Sequence, residues 1–564
     1  LCTPLTPPQS KKQMEVDYGD RTVGVVAYKE DLACNGYTLF SAHRVTYLID
    51  LLGFVVKYWE STRCVFTAYL TESGNLLRDG SDKESREFFN TGGAAGYLEV
   101  VNWDNELIWY WRAEPSYEFL THHGMQPISD GRVLVLCWQR VPAVQCQNLG
   151  RRLVPDGEVW DNHVVELAPP FDSFDENPQK ALLGLETWRW RQFDHLVQDA
   201  DPRIAETFGN VRTRWRDLDF NFTPPGGKAR QRNSIPPHTP PHPTGFARFD
   251  TNWKLGKTGE RDWLHVNSIS YDEDRALILL SYNVTSEVFI ISRRTDQLVF
   301  RFGNPAVYRA GDPHADRVLF SQHSAIFVSS NETSNVRFLC FNNGCMPYRP
   351  WSSVDEFQIT TTLLESMNQD TSILTKPGTQ IREKMSSQGG GSMDDLEFFH
   401  QHDAPSSCQL VWSHGPKAGH YGSFYSTHSS GVDRCSNGNT LITLGPQGII
   451  FEITPDHQEA WRYISPVEIR GEDEAPAIVS QGYQRGASGK FGLFCAKRYA
   501  PDFPAFRGRV LLPGRRIEDA FLLAPILPKS STRTAVATTT TTAEPCILTS
   551  AVPIVDDDEI LLSS

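Results

Sequence analysis

The chain has 564 residues, of which 40% are hydrophobic and 11% aromatic, and its formal net charge is −14. This size is ample for a large β-array and far exceeds what one small domain needs. The negative charge, with no long run of Lys or Arg, argues against a surface that tracks nucleic-acid phosphates. No apolar run approaches the roughly 18 residues that a spanning helix requires. We therefore predict neither a nucleic-acid partner nor a membrane span.

The 11 cysteines include no Cys-x-x-Cys pair, so the sequence indicates neither a zinc site nor a redox motif. Cys340 and Cys345 are close enough along the chain to bridge a loop. The chain begins at Leu1 rather than Met, which leaves a lost signal peptide open. Oligomeric state and cellular compartment are not determined by these features.

One short pattern recurs along the chain after a proline-rich, polar segment at residues 1–20, which we predict to be a disordered leader. Aromatic side chains on alternating residues occur six times, at residues 53–59, 106–111, 186–190, 298–302, 410–413 and 459–463. Alternation indicates a β-strand, and a strand repeated about every 50 residues is typical of a β-propeller. We predict an all-β fold, a six-bladed β-propeller extending over residues 36–509.

Two insertions and a tail depart from this repeat. Residues 200–260 contain proline-rich stretches that cannot be central strands, so we expect an insertion between blades, which could cap the channel. Residues 356–407 contain a Gly/Ser run and an acidic patch, the composition of a flexible loop. Residues 510–564 are Thr-rich and then acidic, and we predict a disordered tail.

Four histidines occupy similar positions, each shortly before a polar turn and an apolar run: His123, His265, His323 and His428. Equivalent positions on blades are equidistant from the axis, so these rings are expected to meet in the central channel. Unprotonated imidazole is a competent nucleophile near pH 7, and a protonated neighbour can hold a transferring anion. The alternative is that such histidines bond to backbone carbonyls and hold blades together. No carboxylate accompanies them at ligand spacing, so we predict no metal and no cofactor.

Several phrases resemble the arylsulfate sulfotransferase family in order and spacing. They lie at residues 38–40, 47–50, 56–60, 92–96, 194–199, 262–269, 302–305, 322–323, 341–344, 352–356 and 498–504. The resemblance runs from about residue 36 to residue 509. It implies a six-bladed propeller that transfers a sulfuryl group from a phenolic sulfate ester to a phenol through a sulfohistidine, without a nucleotide donor.

The resemblance also implies roles for individual residues. By position, His428 looks like the nucleophile, and His265, Asn267 and His323 look like contacts to the oxyanion and the leaving group. Arg498 is our choice for the arginine that holds the anion, and His123 shares the histidine register. The partners implied are an aryl sulfate donor and a phenol acceptor, and a secreted or extracytoplasmic location is favoured.

The chain departs from the family at two positions. Related sequences carry Asp after two of the channel histidines, whereas here Gly124 follows His123 and Ser324 follows His323. A missing carboxylate removes a group that orients imidazole and fixes its tautomer. A second hypothesis is therefore a catalytically silent propeller that binds ligands or partners.

Overall fold

Antiparallel strands make up nearly all the regular structure of the protein. The computed structural model describes residues 18–522 except 88–90, 113–118, 155–156, 170–185, 223–260, 313–314, 329–334, 346–347, 361–407, 417–423 and 484–490. Within that part of the chain, two short α-helices occur, α1 (Lys83–Arg86) and α2 (Ala143–Asn148). The described strands form six sheets of four or five strands and two sheets of two strands.

The strands follow one another blade by blade. Strand β1 (Gly24–Tyr28) precedes blade 1, which contains β2 (Tyr37–Ala42), β3 (Val45–Ile49) and β4 (Val55–Glu60). Blade 2 contains β5 (Ala68–Leu70), β6 (Leu76–Ser81), β7 (Gly96–Val101) and β8 (Leu107–Arg112). Blade 3 contains β9 (Phe119–Pro127), β10 (Val133–Pro142), β11 (Glu158–Leu167) and β12 (Glu186–Arg191). A parallel pair, β13 (Leu196–Val197) and β14 (Leu218–Asp219), links it to blade 4.

The second half continues in the same way. Blade 4 contains β15 (Val266–Asp272), β16 (Leu277–Tyr282), β17 (Glu287–Ser292) and β18 (Leu298–Phe302). Blade 5 contains β19 (His323–Val328), β20 (Asn335–Asn342), β21 (Ser353–Thr360) and β22 (Cys408–His414). Blade 6 contains β23 (Gly431–Arg434), β24 (Thr440–Leu444), β25 (Ile449–Ile453) and β26 (Glu459–Ile464). The small pair β27 (Val467–Glu468) and β28 (Ala477–Ile478) and then β29 (Ala496–Tyr499) follow.

The six aromatic phrases of the sequence form the fourth strands of the blades, namely β4, β8, β12, β18, β22 and β26. The predicted six-bladed β-propeller is therefore confirmed. The apolar core lies between the faces of neighbouring blades. Trp461 and Tyr463 of blade 6, for example, cluster with Phe40 of blade 1, and each of the three is at most 2% exposed.

The first and last described strands close the ring. Strand β29 pairs antiparallel with β2 and so completes blade 1 from the C-terminal side. Strand β1 pairs with β26 and adds a fifth strand to blade 6. Strand β1 lies before residue 36, the start of the propeller predicted from the sequence.

Three further predicted segments overlap the described residues only in part. Residues 200–222 of the first insertion contribute Val211, Trp215 and Phe220 to the largest apolar cluster, and residues 356–360 of the second belong to β21. Residues 510–522 of the predicted tail include the buried Ile517. The remainder of these segments and residues 1–17 lie outside the described residues, and their order stays a prediction.

Sheet topology puts the starts of the first strands at one end of the propeller. In an antiparallel four-stranded sheet, the start of the first strand, the link between the second and third strands and the exit from the fourth share one edge. Strands β9, β15, β19, β23 and β29 contact one another in that order, so they line the central channel. All the links between blades therefore meet the channel at this end, which we call the histidine end.

Candidate functional site

Left-handed residues mark the histidine end in four consecutive blades. His123, His265, Ser324 and Ser429 have φ between 51° and 53°, although none of them is glycine. The ladders shift register beside the first three, in β9, β15 and β19. A non-glycine residue in this conformation costs roughly 1 kcal/mol or more and is enriched at functional sites. The bulges let the strand starts turn their histidines towards one place.

Three buried histidines from blades 3, 4 and 5 come together. The rings of His123 and His265 lie perpendicular, with centroids 4.5 Å apart. His123 also interacts electrostatically with His323, and all three side chains belong to residues that are 5% exposed or less. The Ser429 N–H donates to His323 Nε2 over 3.3 Å. This bond places the loop that carries His428 against the cluster, and His428 itself is exposed.

Two of the rings are held at Nδ1 by a neighbour along the chain. His265 Nδ1–H donates to the Asp262 carboxylate, which lies three residues earlier. His428 Nδ1 lies 2.7 Å from the Thr427 hydroxyl oxygen. The sequence prediction concerned carboxylates at metal-ligand spacing, and Asp262 accompanies His265 as a hydrogen-bond acceptor instead. Asp262 is itself 2% exposed, so this hydrogen bond lies away from solvent and fixes the orientation of the ring.

The other two rings have a histidine or an asparagine at Nδ1, namely the adjacent His122 for His123 and the more distant Asn343 for His323. His123 Nδ1 lies 2.9 Å from His122 Nδ1, and His323 Nδ1–H donates to Asn343 Oδ1 over 2.7 Å. The ring orientation that a following Asp would have supplied is thus supplied by other side chains, although Gly124 occupies the position after His123.

Asn343 links His323 to the His428 loop. Because His323 Nε2 accepts the Ser429 N–H, its proton is on Nδ1, which fixes one neutral tautomer. The Asn343 Nδ2 group donates to the carbonyl oxygens of Ser426 and Ser429, at 2.9 and 3.2 Å. Asn343 is fully buried, so one side chain holds both sides of the site.

The cluster is uncharged at His123 and His323 near neutral pH. Burial is the main cause that lowers the pKa of His323 to about 3, and the charges that His265 and His428 would carry add to it. Burial, followed by His265, His122 and His323, holds the pKa of His123 well below its ordinary range. Of the three buried rings, His265 is the one with a carboxylate partner.

The glycine-rich phrase at residues 92–96 makes room for His123. A Cβ atom on Gly93 would lie 2.2 Å from His123 Nε2, and Gly93 has φ of +80°. The Gly93 carbonyl also accepts the His123 N–H over 2.8 Å. Only glycine combines this close approach with this conformation.

Asn267 lies at the junction of blades 4 and 5. Its Nδ2 group donates over 2.8 Å to the carbonyl oxygen of Gln322, the residue before His323. Its side chain is buried. The structure thus brings Asn267 beside the cluster, with one N–H committed to joining the blades.

Arg498, in contrast, is not brought to the histidines. Its guanidinium lies between blades 1 and 6, where it pairs with Glu452 at 3.2 Å, donates to Thr38 Oγ1 at 3.0 Å and covers the Trp461 ring. The buried Glu452 requires a counter-charge, and Arg498 supplies it. Successive residues on a strand face opposite sides, and the neighbouring Lys497 lies over the Tyr69 ring of blade 2.

Neither a metal-binding group nor a membrane-spanning helix occurs among the described residues. Within the ranges given above, no group of three or more His, Cys, Asp or Glu side chains could hold a metal ion. In the same part of the chain, no helix is long and apolar enough to cross a bilayer.

Sequence reasoning missed the side chains that orient the rings: Asp262, Asn343, His122 and Thr427. Asp262 lies in the same phrase as His265, and Asn343 lies in the phrase at residues 341–344. The spacing gave a signal for Asp262, because an aspartate three residues before a histidine can fold back onto its ring. Asn343 is 20 residues from His323, and only the pairing of β19 with β20 brings the two together.

Fold and site define the class: a six-bladed β-propeller that gathers histidines at one end of its channel. A family model described as Arylsulfotransferase (ASST) matches residues 183–360. The resemblance to the arylsulfotransferase family predicted from the sequence is confirmed over this segment. The matched segment contains His265, Asn267, His323 and Asn343, and it does not reach His123, His428 or Arg498.

Solved structures of several proteins align with the chain. A protein of unknown function from Bacteroides caccae is 10% identical, with a TM-score of 0.37, and the alignment covers 82% of this chain and 98% of that one. The WD40 domain of Toxoplasma gondii coronin is 7% identical, with a TM-score of 0.31 and coverage of 77% and 70%. A dihydro-heme d1 dehydrogenase is 10% identical, with a TM-score of 0.29 and coverage of 76% and 73%. No curated protein matches the sequence.

Proposed function

We propose that the protein transfers a sulfuryl group from a phenolic sulfate ester to a phenol through a sulfohistidine at His428, with neither a nucleotide donor nor a metal. The observation that carries the proposal is the cluster of buried, oriented histidines against the loop of an exposed histidine. The family match over residues 183–360 supports arylsulfotransferase-type chemistry in general.

In the first step, the Nε2 lone pair of His428 attacks the sulfur of the donor ester. Nε2 has a free lone pair when the ring proton is on Nδ1, and Nδ1–H can donate a hydrogen bond to the Thr427 hydroxyl oxygen. The bond from sulfur to the aryl oxygen breaks as the bond to Nε2 forms. The departing phenolate takes the Nε2 proton of His265, while the Nδ1–H of that ring donates to Asp262. Phenol leaves, and the sulfuryl group remains on His428.

In the second step, the acceptor phenol reverses these events. Its oxygen attacks the sulfur, its proton passes to His265, and the bond from sulfur to Nε2 breaks. His428 and His265 return to their starting states, which is the requirement of a two-displacement mechanism.

The remaining residues hold the site in place or contact the sulfuryl group. His323 is neutral, and its Nε2 accepts the Ser429 N–H, so it holds the His428 loop beside the leaving group. Asn267 retains a second N–H on Nδ2 that can donate to a sulfuryl oxygen. His123 lies behind His265 and limits the positions that its ring can take.

One observation favours the second candidate, a catalytically silent propeller that binds anionic ligands. Arg498, the arginine chosen from the sequence to hold the transferring group, is committed to Glu452 instead. In that case, the histidine end would bind an aryl sulfate without cleaving it.

A transfer assay distinguishes the two. Purified protein is mixed with a chromogenic phenyl sulfate and a phenol acceptor, with a chelator and without nucleotide. We expect release of the donor phenol, a burst of one equivalent when the acceptor is withheld, and a sulfate-sized mass gain on the peptide that contains His428. His428→Ala should abolish all three, and His265→Ala should slow transfer by about 10²-fold.

The matched control is His457→Ala, because His457 is an exposed histidine that stacks on Trp412 of an outer strand. This variant should behave as wild type. Normal donor binding without phenol release by the wild-type protein would overturn the transferase proposal and favour the silent propeller.

A further inference from the structure

A pair of cysteines that sulfuryl transfer does not use lies where the ring closes. Cys34 lies in the loop between β1 and β2, and Cys435 directly follows β23 of blade 6. Both residues are 3% exposed and belong to one apolar cluster. Their separation along the chain is about 400 residues, so the fold alone brings them together.

The contacts of Cys34 place its thiol beside blade 6. Cys34 Sγ lies 3.4 Å from the hydroxyl oxygen of Ser436, the residue that follows Cys435, and Cys435 is the largest cause of the lowered pKa of Cys34. The Cys34 N–H donates to Glu452 Oε1 over 2.6 Å, and its carbonyl oxygen accepts a hydrogen bond from Arg498. With the backbone fixed on both sides, the thiol has little freedom to turn away.

We propose that Cys34 and Cys435 form a disulfide, by exchange with a disulfide oxidant such as oxidised glutathione, that staples blade 6 to the segment entering blade 1. Both thiols are reduced in the structure. The bond would join the two blades at the seam that β1 and β29 otherwise close without covalent links.

The exchange balances in two steps. The Cys34 thiolate attacks one sulfur of the oxidant, forms a mixed disulfide and releases one glutathione thiol. Cys435 then loses its proton, attacks Cys34 Sγ and releases the second glutathione thiol, so two protein thiols are oxidised and one glutathione disulfide is reduced. Cys435 lowers the pKa of Cys34, which suits Cys34 to make the first attack.

The staple should stabilise the fold by restricting the unfolded chain. It would enclose a loop of about 400 residues, and the entropy removed from the unfolded chain grows slowly with loop length. Since both residues are buried, the oxidant reaches them while the protein is folding, before the seam closes.

The test is to refold the denatured, reduced full chain with and without excess oxidised glutathione, and then to block remaining thiols and digest without reduction. We expect a peptide pair joined through Cys34 and Cys435, about 2 Da lighter than the two separate peptides. The unfolding midpoint should rise by about 4 °C over the protein refolded without oxidant. Cys34→Ser and Cys435→Ser should each remove the cross-link and the shift.

The matched control is Cys146→Ser. Cys146 is also buried, and burial raises its pKa to about 11, so this variant should keep both the cross-link and the shift. If the serine variants do not refold, peptide mapping of the wild-type protein still decides. Absence of the Cys34–Cys435 pair there, or a glutathione that stays on Cys34, would overturn the proposal.

Discussion

The orientation of each histidine ring in the site is set by the group that lies at hydrogen-bond distance from its Nδ1 atom. In the family that the chain resembles, an Asp follows two of these histidines. In this chain, Gly124 follows His123 and Ser324 follows His323. Ser324 has taken another role, since its hydroxyl oxygen accepts the Val432 N–H over 3.1 Å and joins blade 5 to blade 6. Asn343 orients His323 in its place. The hydrogen-bond acceptor that the sequence lacks directly after His323 is therefore supplied by Asn343, which the fold brings next to the ring.

Substitution of Asn343 tests this compensation. Asn343→Ala leaves His323 Nδ1–H without its acceptor, so transfer should slow by about 10²-fold. Asn343→Asp returns an acceptor, and its charge raises the pKa of His323. This variant should recover part of the rate, with the acid limb of its pH profile at higher pH. The measurement is kcat/KM against pH, and a rate unchanged in folded Asn343→Ala would contradict the assignment.

The buried histidines also predict how stability depends on pH. Burial lowers the pKa of His323 to about 3, against an ordinary value of about 6.5 in an unfolded chain. Between these values the unfolded state binds more protons, so stability increases as pH rises through this window and is fully present above it. One such group contributes a slope of about 1.4 kcal/mol per pH unit.

His323→Gln should make that slope shallower. Urea unfolding at several pH values between the two pKa values gives the free energy of unfolding for each protein. His457→Gln changes an exposed ring and should keep the wild-type slope. An equal slope in His323→Gln and wild type would mean that His323 is already protonated when folded.

At the scale of strands, the aromatic phrase supplies hydrogen bonds between blades as well as apolar surface. In four blades, a tryptophan of the fourth strand donates its indole N–H to the turn between the third and fourth strands of the next blade. The pairs are Trp59 to Asn102 O, Trp188 to Asp296 Oδ1, Trp412 to Pro455 O and Trp461 to Leu51 O. In these blades the phrase therefore joins one blade to the next at an equivalent place.

Gly93 tests the element that supports His123. In Gly93→Ala the new methyl group meets the His123 ring and the backbone keeps a positive φ. We expect the free energy of unfolding to fall by about 2 kcal/mol and transfer to slow, because His123 and then His265 move. In the matched variant Gly92→Ala the added Cβ has nothing within 4 Å, so urea unfolding should match wild type. Equal effects of the two variants would contradict this account.

At the scale of the whole molecule, the sequence predicts the repeats well and their closure poorly. Each blade leaves a local signal, such as Trp59 in β4 or Trp461 in β26, because strand alternation is written in adjacent residues. Closure has no such signal, because β1 pairs with a strand more than 400 residues away. Arg498 illustrates the same limit: the phrase that contains it is visible in the sequence, but its side chain pairs with Glu452, and no local pattern specifies which neighbour a side chain faces.

Truncation tests how the ring is closed. Removing residues 1–35 deletes β1, which buries Val25 against blade 6, and Arg21, which pairs with Glu518. Burial of one such side chain contributes about 1.5–3 kcal/mol, and loss of the strand exposes the β26 edge, which favours aggregation. We expect a clearly lower unfolding midpoint and concentration-dependent aggregation, measured by circular dichroism and light scattering.

Removal of residues 1–17 keeps every contact described here and should match the full chain. If the protein lacking residues 1–35 were equally stable, the propeller would begin at residue 36, and β1 would be an accessory strand rather than part of the closure.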